Sequence, residues 1–408
     1  MIYRSNFRIV FTVLMALELM QSPLNASPSS PCALKWSASL NGAAGEPAIS
    51  ASRGVLLLTQ GASLLAVGAQ DGKTLWRVNL LPEISIAMAA SGQGGQGPNI
   101  FSPVVAGGIA LVAYCNGPES RLLALDIATG KTRWEFNAAS AGDTDSPELS
   151  GPILSPPFPW RDRVIFRTAR GLTAVRLSDG DRLWKVPMDA NLRIPLIASA
   201  APVGDKDVFF NSDFGVAYAF DPLTGDKIWS TPTSGVSDRG LLNVRDVRVT
   251  VAHCHPILVQ GRLLTADGLG NIYSLNEKTG SVQWRVRPGG YIFQFATLGG
   301  MIYAATDHGL YQLDPNTGET MRAYAGADKI LRCEIIKDKA ILTKFPSGWE
   351  VFDLPSWKPD AVDAGFSPRL NVVAAGGFFF LGGSPSDNND APTTELRGYS
   401  LMEGKPCH

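Results

Sequence analysis

The sequence lacks an excess of charge of either sign. Its 408 residues include 36 Lys and Arg against 37 Asp and Glu, so the formal net charge is −1 at pH 7. Proteins that bind nucleic acid or anionic membranes through their overall field carry a basic excess or a basic cluster, and the sequence has neither. We therefore expect no nucleic-acid partner.

Long apolar runs are also missing. After the N-terminus, no segment reaches the roughly 20 apolar residues that a transmembrane span needs. The N-terminus itself has two arginines, the apolar segment 9–17 and a small-residue cleavage site at Leu24-Asn25-Ala26, which is the pattern of an export signal. Glu18 interrupts the apolar segment and argues against a membrane anchor. We predict a signal peptide at residues 1–26 and a single domain at 27–408.

Residues that carry chemistry are scarce, with five Cys and four His in the chain. A serine nucleophile elbow, a glycine-rich phosphate loop and paired His-Glu zinc motifs are absent from the sequence. The one cluster of metal-ligand residue types is His253-Cys254-His255, whose two imidazoles point to the same side of a strand and would suit Zn or Cu. Three adjacent residues rarely complete a site, so we predict neither a metal nor a catalytic centre and keep this cluster as the alternative.

Turn residues, by contrast, are abundant: the chain has 42 Gly and 28 Pro and only 18% charged residues, which favours an all-β protein. Segment 122–136 shows the recurring pattern of an alternating apolar strand, an Asp-to-Gly turn and a strand with Trp134. In five copies, Trp follows the turn Gly by four residues. These pairs are Gly72 and Trp76, Gly130 and Trp134, Gly180 and Trp184, Gly225 and Trp229, and Gly280 and Trp284.

Three further copies depart from the pattern. One keeps Gly318 but has Arg322 in the Trp position, the next is degenerate and precedes Trp357, and the last stops at Gly404. A propeller blade of four strands takes roughly 40 to 50 residues, close to the spacing of the copies. We predict an all-β fold, an eight-bladed β-propeller of four-stranded blades.

The two ends of the chain complete each other in this scheme. Trp36 has no turn before it, and the copy at Gly404 has no Trp strand after it, so an N-terminal strand would join the C-terminal blade and close the ring. Cys32 and Cys407 then lie beside this seam, and we predict a disulfide between them in an exported protein. Two free thiols, or lipid attachment at Cys32, are the alternatives.

The motif Ala-x-Asp-x-x-Thr-Gly-x-x-x-Trp, seen at 124–134 and 219–229, resembles the repeat of the family named after pyrroloquinoline quinone enzymes. That resemblance implies that each Trp docks against the neighbouring blade. The family contains both quinone enzymes and non-catalytic scaffolds. A quinone with Ca²⁺ needs several converging oxygen ligands, and the residues that precede the first strand of each repeat include one carboxylate, Glu46. We predict no cofactor and no enzyme, with a quinone-dependent oxidoreductase or cofactor-binding relative as the alternative.

Long insertions between a Trp strand and the next repeat are the expected recognition elements. They bring together apolar and charged residues of the kind that protein interfaces use. The predicted partner-binding residues are Leu192, Arg193, Ile194 and Leu196 in one insertion and Asp238, Arg239, Arg245, Asp246 and Arg248 in the next.

These insertions resemble the partner loops of the β-propeller lipoprotein family of the outer-membrane β-barrel assembly machinery, which have Leu-x-Leu-Arg and Asp-Val-Asp. Arg248 stands where that family has its second carboxylate. The resemblance implies a non-catalytic scaffold for protein partners in the cell envelope, a monomer within a larger complex. The implied location is the periplasm, associated with the outer membrane, with secretion as the alternative.

Overall fold

The computed structural model describes the chain as an all-β propeller. The described part contains no helix that is long and apolar enough to cross a membrane. The described residues are 32–40, 49–52, 54–80, 99–116, 119–138, 151–168, 171–187, 203–205, 208–213, 216–233, 256–267, 269–325, 329–336, 338–345, 348–363, 366–368, 372–375, 378–384 and 395–401.

The described strands form eight antiparallel sheets, which we number in chain order. The first strand, β1 (Cys32–Ser39), belongs to the last sheet. Sheet 1 contains β2 (Ile49–Ser52), β3 (Val55–Gln60), β4 (Ser63–Gly68) and β5 (Thr74–Asn79). Sheet 2 contains β6 (Asn99–Ile100), β7 (Val104–Ala106), β8 (Ile109–Asn116), β9 (Glu119–Asp126) and β10 (Thr132–Asn137). Sheet 3 contains β11 (Phe158–Trp160), β12 (Arg163–Arg167), β13 (Gly171–Arg176) and β14 (Arg182–Pro187).

The remaining sheets follow the same order. Sheet 4 contains β15 (Val203–Asp205), β16 (Val208–Asp213), β17 (Val216–Phe220) and β18 (Lys227–Pro232). Sheet 5 contains β19 (Ile257–Val259), β20 (Arg262–Ala266), β21 (Ile272–Asn276) and β22 (Val282–Val286). Sheet 6 contains β23 (Ile292–Leu298), β24 (Met301–Thr306), β25 (Gly309–Leu313) and β26 (Thr320–Tyr324). Sheet 7 contains β27 (Lys329–Ile336), β28 (Lys339–Phe345), β29 (Trp349–Asp353) and β30 (Lys358–Asp363). Sheet 8 contains β31 (Ser367–Pro368), β32 (Val373–Ala375), β33 (Phe378–Ser384), β34 (Glu395–Leu401) and β1.

The prediction of four strands per sheet is correct for six sheets and wrong for two. Sheets 2 and 8 each have five strands, because two short segments pair with the same long strand. In sheet 2, both β6 and β7 pair with β8. In sheet 8, both β31 and β32 pair with β33. The paired segments have only two or three residues each, too few for the sequence pattern to separate from a loop.

Burial follows the position of a strand within its sheet. The second and third strands are continuous apolar runs such as β3 and β4, and nearly all of their side chains are buried. Such runs are typical of strands that are covered on both faces. The fourth strand alternates between exposed and partly buried side chains, as in β5 and β18. The core therefore lies between successive sheets.

Each pair of successive sheets shares one apolar cluster. Leu57 of sheet 1 and Tyr114 of sheet 2 belong to one cluster, and Leu111 of sheet 2 and Phe166 of sheet 3 to the next. Clusters of the same kind join all the later neighbours. Trp36 of sheet 8 packs with Leu56 of sheet 1, so the last and first sheets are also joined.

A tryptophan on the fourth strand contacts the glycine turn of the next sheet at six of these junctions. The indole Nε1–H donates to a backbone carbonyl three residues before the turn glycine, at 2.8 to 3.1 Å. The pairs of Trp and glycine are Trp36 with Gly72, Trp76 with Gly130, Trp134 with Gly180, Trp184 with Gly225, Trp229 with Gly280, and Trp284 with Gly318.

The glycine in this contact is needed for two reasons. Gly130 has φ +71°, which L side chains rarely adopt, and a Cβ there would lie 2.8 Å from Cδ2 of Trp76. The turn before it is held by Asp126, whose Oδ1 accepts hydrogen bonds from the N–H groups of Ala128 and Thr129. The repeat motif thus encodes a turn and the surface that receives the ring.

The junction between sheets 6 and 7 departs from this arrangement. Arg322 occupies the Trp position and donates from Nη1 to the Pro355 carbonyl at 3.2 Å. Trp357 occupies the turn-glycine position with φ +58°, and its ring packs against Phe352 at 5.2 Å between centroids. At this junction the tryptophan therefore belongs to the turn of sheet 7 and not to the fourth strand of sheet 6.

The N-terminal strand pairs with the C-terminal sheet. Strand β1 is antiparallel to β34, with Cα partners from Cys32 and Leu401 to Ser39 and Glu395. Trp36 lies opposite Gly398, and a Cβ on that glycine would be 2.5 Å from Cε2 of the indole. The seam is thus built on a close approach of a ring to a glycine.

The exchange at the junction of sheets 6 and 7 gives a double-mutant prediction. Arg322→Trp alone should destabilise the protein by about 1–3 kcal/mol, because the new indole overlaps the space that Trp357 fills. The double variant R322W/W357G restores the Trp and glycine pair and should recover most of the loss. Urea unfolding of the three proteins measures this coupling, and a double variant no more stable than R322W would contradict it.

Candidate functional site

The two ends of the sheets form two distinct faces of the ring. Because neighbouring strands are antiparallel, the turn between the third and fourth strands lies at one end, and the connection to the next sheet lies at the other. We call the first end the glycine-turn face and the second the loop face. The turns between the second and third strands also lie on the loop face.

The connections on the loop face differ in length around the ring. Four consecutive connections are long, whereas those before and after sheet 6 and after sheet 7 are short. The long ones are 80–98, 138–157, 188–202 and 233–256, and the short ones are 287–291, 325–328 and 364–366. The four junctions with long connections therefore follow one another in the order of the sheets.

The predicted partner-binding residues belong to two of these long connections. Leu192, Arg193, Ile194 and Leu196 are in the connection that leads into β15, and Asp238, Arg239, Arg245, Asp246 and Arg248 are in the one that leaves β18. All nine lie outside the described residues. The described strands that flank them, β14 and β15 for one and β18 and β19 for the other, all have their adjoining ends on the loop face.

The other predicted sites fall largely outside the described part of the chain. The signal peptide at 1–26, the cluster His253-Cys254-His255 and Cys407 all lie there. Cys32 is the first residue of β1. Because Cys407 lies outside the described residues, the disulfide between the two stays a prediction. Within the described ranges, no three His, Cys, Asp or Glu side chains form a group that could hold a metal ion. Cys115 and Cys333 are free thiols, and burial raises the pKa of both.

Sequence reasoning missed a buried carboxylate on the loop face. Asp267, in the turn between β20 and β21, accepts hydrogen bonds from the Leu269 and Asn271 N–H groups and from the Asn271 side chain at 2.7 to 2.9 Å. The Tyr273 hydroxyl donates to the same carboxylate at 3.2 Å. Burial, and then the Asp267 charge, raise the pKa of Tyr273 to about 12. The donors to the Asp267 carboxylate come from its own turn and the strand that follows, so this carboxylate serves to stabilise the turn.

A short connection packs on this turn and exposes apolar side chains. The Tyr291 N–H donates to Oδ1 of Asp307 at 2.7 Å. A Cβ on Gly270 would lie 2.0 Å from the Gly290 carbonyl oxygen, so the two backbones are in close contact. Leu269 and Tyr291 are 45% and 46% exposed. In the sequence, the glycines at positions 270, 289 and 290 are the signal that marks this contact.

A buried ion pair lies where sheets 6 and 7 meet on the loop face. Lys344 donates from Nζ to Oε2 of Glu350, and the Tyr324 hydroxyl donates to the same oxygen at 3.4 Å. The side chains of Lys344 and Glu350 are 10% and 2% exposed. A substrate in solvent could not reach this carboxylate, so the arrangement serves packing and not chemistry.

This pair gives a second testable prediction. Lys344→Met should destabilise the protein by about 3–5 kcal/mol, because it leaves the Glu350 charge buried without a cationic partner. The double variant K344M/E350L should cost much less. The more exposed pair of Lys339 and Asp353 is the matched control, and Lys339→Met should cost about 1 kcal/mol. Thermal unfolding with calorimetry compares the variants; equal losses in the single and double variants would refute the pairing argument.

Known proteins match both the sequence and the fold. A family model described as outer membrane protein assembly factor BamB matches residues 33–210 and 212–329. The outer membrane protein assembly factor BamB of Moranella endobia (strain PCIT) is 24% identical over 226 residues, which are 54% of this chain and 51% of that protein. The chain spans about half the length of the curated relatives it matches.

Solved structures share the fold at low sequence identity. The crystal structure of BamB from Moraxella catarrhalis matches with a TM-score of 0.66 and 14% identity, over 90% of this chain and 99% of that one. A europium-containing methanol dehydrogenase matches with a TM-score of 0.64 and 13% identity, over 91% and 94% of the two chains. The structural likeness therefore shows a propeller and does not separate scaffold from enzyme.

Proposed function

Because the chain belongs to the family of the outer membrane protein assembly factor BamB, we propose that it is a non-catalytic scaffold that binds a protein partner during outer-membrane protein assembly. The observation that carries the proposal is the uneven loop face. Four consecutive junctions have long connections, and the two connections that contain the predicted apolar and charged residues precede and follow sheet 4 in the chain. Long loops on a rigid ring are the usual place for recognition.

The rest of the ring supports this role by holding the loops in fixed positions. Eight sheets and eight shared apolar clusters fit one closed ring of eight blades, with β1 and β34 as the seam. The two connections with the predicted partner-binding residues begin and end on strands of this ring. The strands therefore hold the ends of the two connections at fixed positions. We propose that the protein works as a monomer within a larger complex, in the periplasm after removal of residues 1–26.

The proposed surface would contain apolar anchors beside charges of both signs. Leu192, Ile194 and Leu196 supply the apolar part, and Asp246 and Arg248 supply opposite charges two positions apart. Interfaces gain affinity from apolar anchors and gain specificity and association rate from complementary charge. A partner with an apolar patch and its own acidic and basic residues fits this composition.

Charge reversal tests the proposed surface. Asp246→Lys combined with Arg248→Glu should weaken binding of the envelope partner by about tenfold or more, because like charges then meet across the interface. Thermal stability should stay within about 0.5 kcal/mol of the original value. Affinity purification from the native cell envelope, followed by quantitative mass spectrometry, measures the partner. The matched control is E319K/K278E, at exposed positions on the glycine-turn face.

Two results would count against the proposal. If the loop variant and the control retain the partner equally, the partner does not bind at this surface. The alternative function is a quinone-dependent oxidoreductase, because the resembled repeat family includes quinone enzymes. Saturable binding of pyrroloquinoline quinone with Ca²⁺, together with reduction of an electron-accepting dye, would replace the scaffold function by that activity.

We propose a disulfide between Cys32 and Cys407 beside the pairing of β1 with β34. We expect mass spectrometry of the unreduced exported protein to find a peptide that joins Cys32 and Cys407, because β1 and β34 pair beside these two positions in sequence. Loss of the bond in C32S/C407S should destabilise the protein by at most ~5 kcal/mol. A lipid-modified Cys32, or two free thiols at these positions, would contradict the prediction.

A further inference from the structure

The described part of the loop face exposes two large apolar side chains, and both lie at the junction of sheets 5 and 6. Leu269 is in the turn between β20 and β21, and Tyr291 is in the connection between β22 and β23. Single exposed apolar residues are common on protein surfaces, whereas two at one contact form a patch. The other exposed large apolar residues of the described ranges lie on fourth strands or in a glycine turn, namely Leu75, Leu223, Ile228, Val282 and Met321.

Hydrogen bonds and a close approach hold the backbone beneath the two side chains. The Leu269 N–H donates to Oδ1 of Asp267 at 2.9 Å, and the Tyr291 N–H donates to Oδ1 of Asp307 at 2.7 Å. A Cβ on Gly290 would lie 2.0 Å from the same Asp307 oxygen, so the connection lies directly on this carboxylate. The backbone is therefore ordered before a partner binds, which lowers the entropic cost of binding.

A guanidinium and an imidazole are exposed beside these apolar groups. Arg287 is exposed, and its Nε lies 3.9 Å from the position of a Cβ on Gly270. His308 is exposed in the turn between β24 and β25, and its Nδ1 lies 4.0 Å from the position of a Cβ on Gly289. An arginine is always cationic, and a histidine donates a ring N–H in either protonation state. Both groups can therefore donate to an anion at this surface.

The carboxylates of the same two turns are engaged within the protein. Asp267 is buried, and it accepts hydrogen bonds from the Asn271 side chain and the Tyr273 hydroxyl. Asp307 is partly buried, and it accepts from the Tyr291 N–H. Among the described side chains of these two turns and of the connection 287–291, the exposed polar groups are thus the arginine and the histidine. A negatively charged partner complements this composition.

We propose that the loop face at the junction of sheets 5 and 6 binds an acidic segment of a partner protein. A carboxylate of this segment is received by Arg287 and His308, and a guanidinium can bind a carboxylate through two parallel hydrogen bonds. An apolar side chain of the segment packs against Leu269 and Tyr291, and tyrosine is one of the residues that contribute most to binding at interfaces. The surface contains none of the nine predicted partner-binding residues, so it is independent of the partner surface proposed above.

NMR titration of the original full-length protein with two synthetic peptides tests the proposal. One peptide is Asp-Leu-Asp-Phe-Asp with both ends blocked, and the other has Lys in place of each Asp. The acidic peptide should shift the methyl signals of Leu269 saturably, whereas those of Leu223, exposed in a glycine turn, should stay unchanged. The lysine peptide should shift neither. Raising the salt concentration from about 0.05 M to about 0.5 M should weaken binding, because salt screens the attraction between exposed charges.

Two variants separate the charged from the apolar part of the surface. Arg287→Glu should weaken binding of the acidic peptide by about tenfold or more, because like charges then meet. Tyr291→Ala should also weaken it, although the hydrogen bond to Asp307 is kept because it uses the backbone N–H. The matched control is Lys278→Glu, at an exposed position on the glycine-turn face, which should bind the peptide as the original protein does.

Three results would overturn the proposal. The first is the absence of a saturable shift at Leu269 with the acidic peptide. The second is equal binding of the lysine peptide, which would show that charge does not select the partner. The third is an affinity of R287E equal to that of the K278E control.

Discussion

The contact between a tryptophan ring and the glycine turn of the next sheet is the constraint on which the rest of the structure depends. Strands pair by hydrogen bonds within each sheet, so the order and angle of neighbouring sheets must come from side chains. The indole supplies apolar area and one N–H, which donates to a carbonyl at 2.8 to 3.1 Å. A Cβ at the glycine would lie within 3 Å of the ring, so the contact is close and specific.

The same contact, which occurs at six of the eight junctions, also joins the last sheet to the first. Trp36 reaches Gly72 and the Ala69 carbonyl in the same way as the later copies, although its strand comes from the other end of the chain. Sheets 8 and 1 are therefore joined by the same contact as the earlier neighbours, once β1 has paired with β34. Without this pairing, β34 would be an exposed edge strand of sheet 8.

The sequence predicts this part of the fold well because the motif is local. Turn, glycine and tryptophan fall within a dozen residues, and the family match confirms the resemblance of the repeat. The degenerate copy shows the limit of such reasoning. Trp357 suggests a tryptophan strand, yet it stands at the turn-glycine position with φ +58°, and only its contacts with Phe352 reveal this.

The candidate sites could be predicted less well, for physical reasons that differ from residue to residue. Leu269 and Tyr291 lie in separate loops of the chain, and they come together only because Gly270 and Gly290 are in contact. Lys344 and Glu350 look like ordinary strand charges until their burial is known. The predicted partner residues, in contrast, rest on insertion length and composition alone, and they stay a prediction because they lie outside the described residues.

The two faces of the ring differ in how far the length of their connections can vary. The glycine turns hold the ring contacts, so a change of length there would displace the glycine from the neighbouring indole. The connections on the loop face leave from strand ends that are already fixed by those contacts. Their length can therefore change without loosening the ring, as the range from 287–291 to 233–256 shows. A propeller of this kind can therefore change its loops without changing the contacts between its sheets, and the same fold occurs both in an assembly factor and in a methanol dehydrogenase.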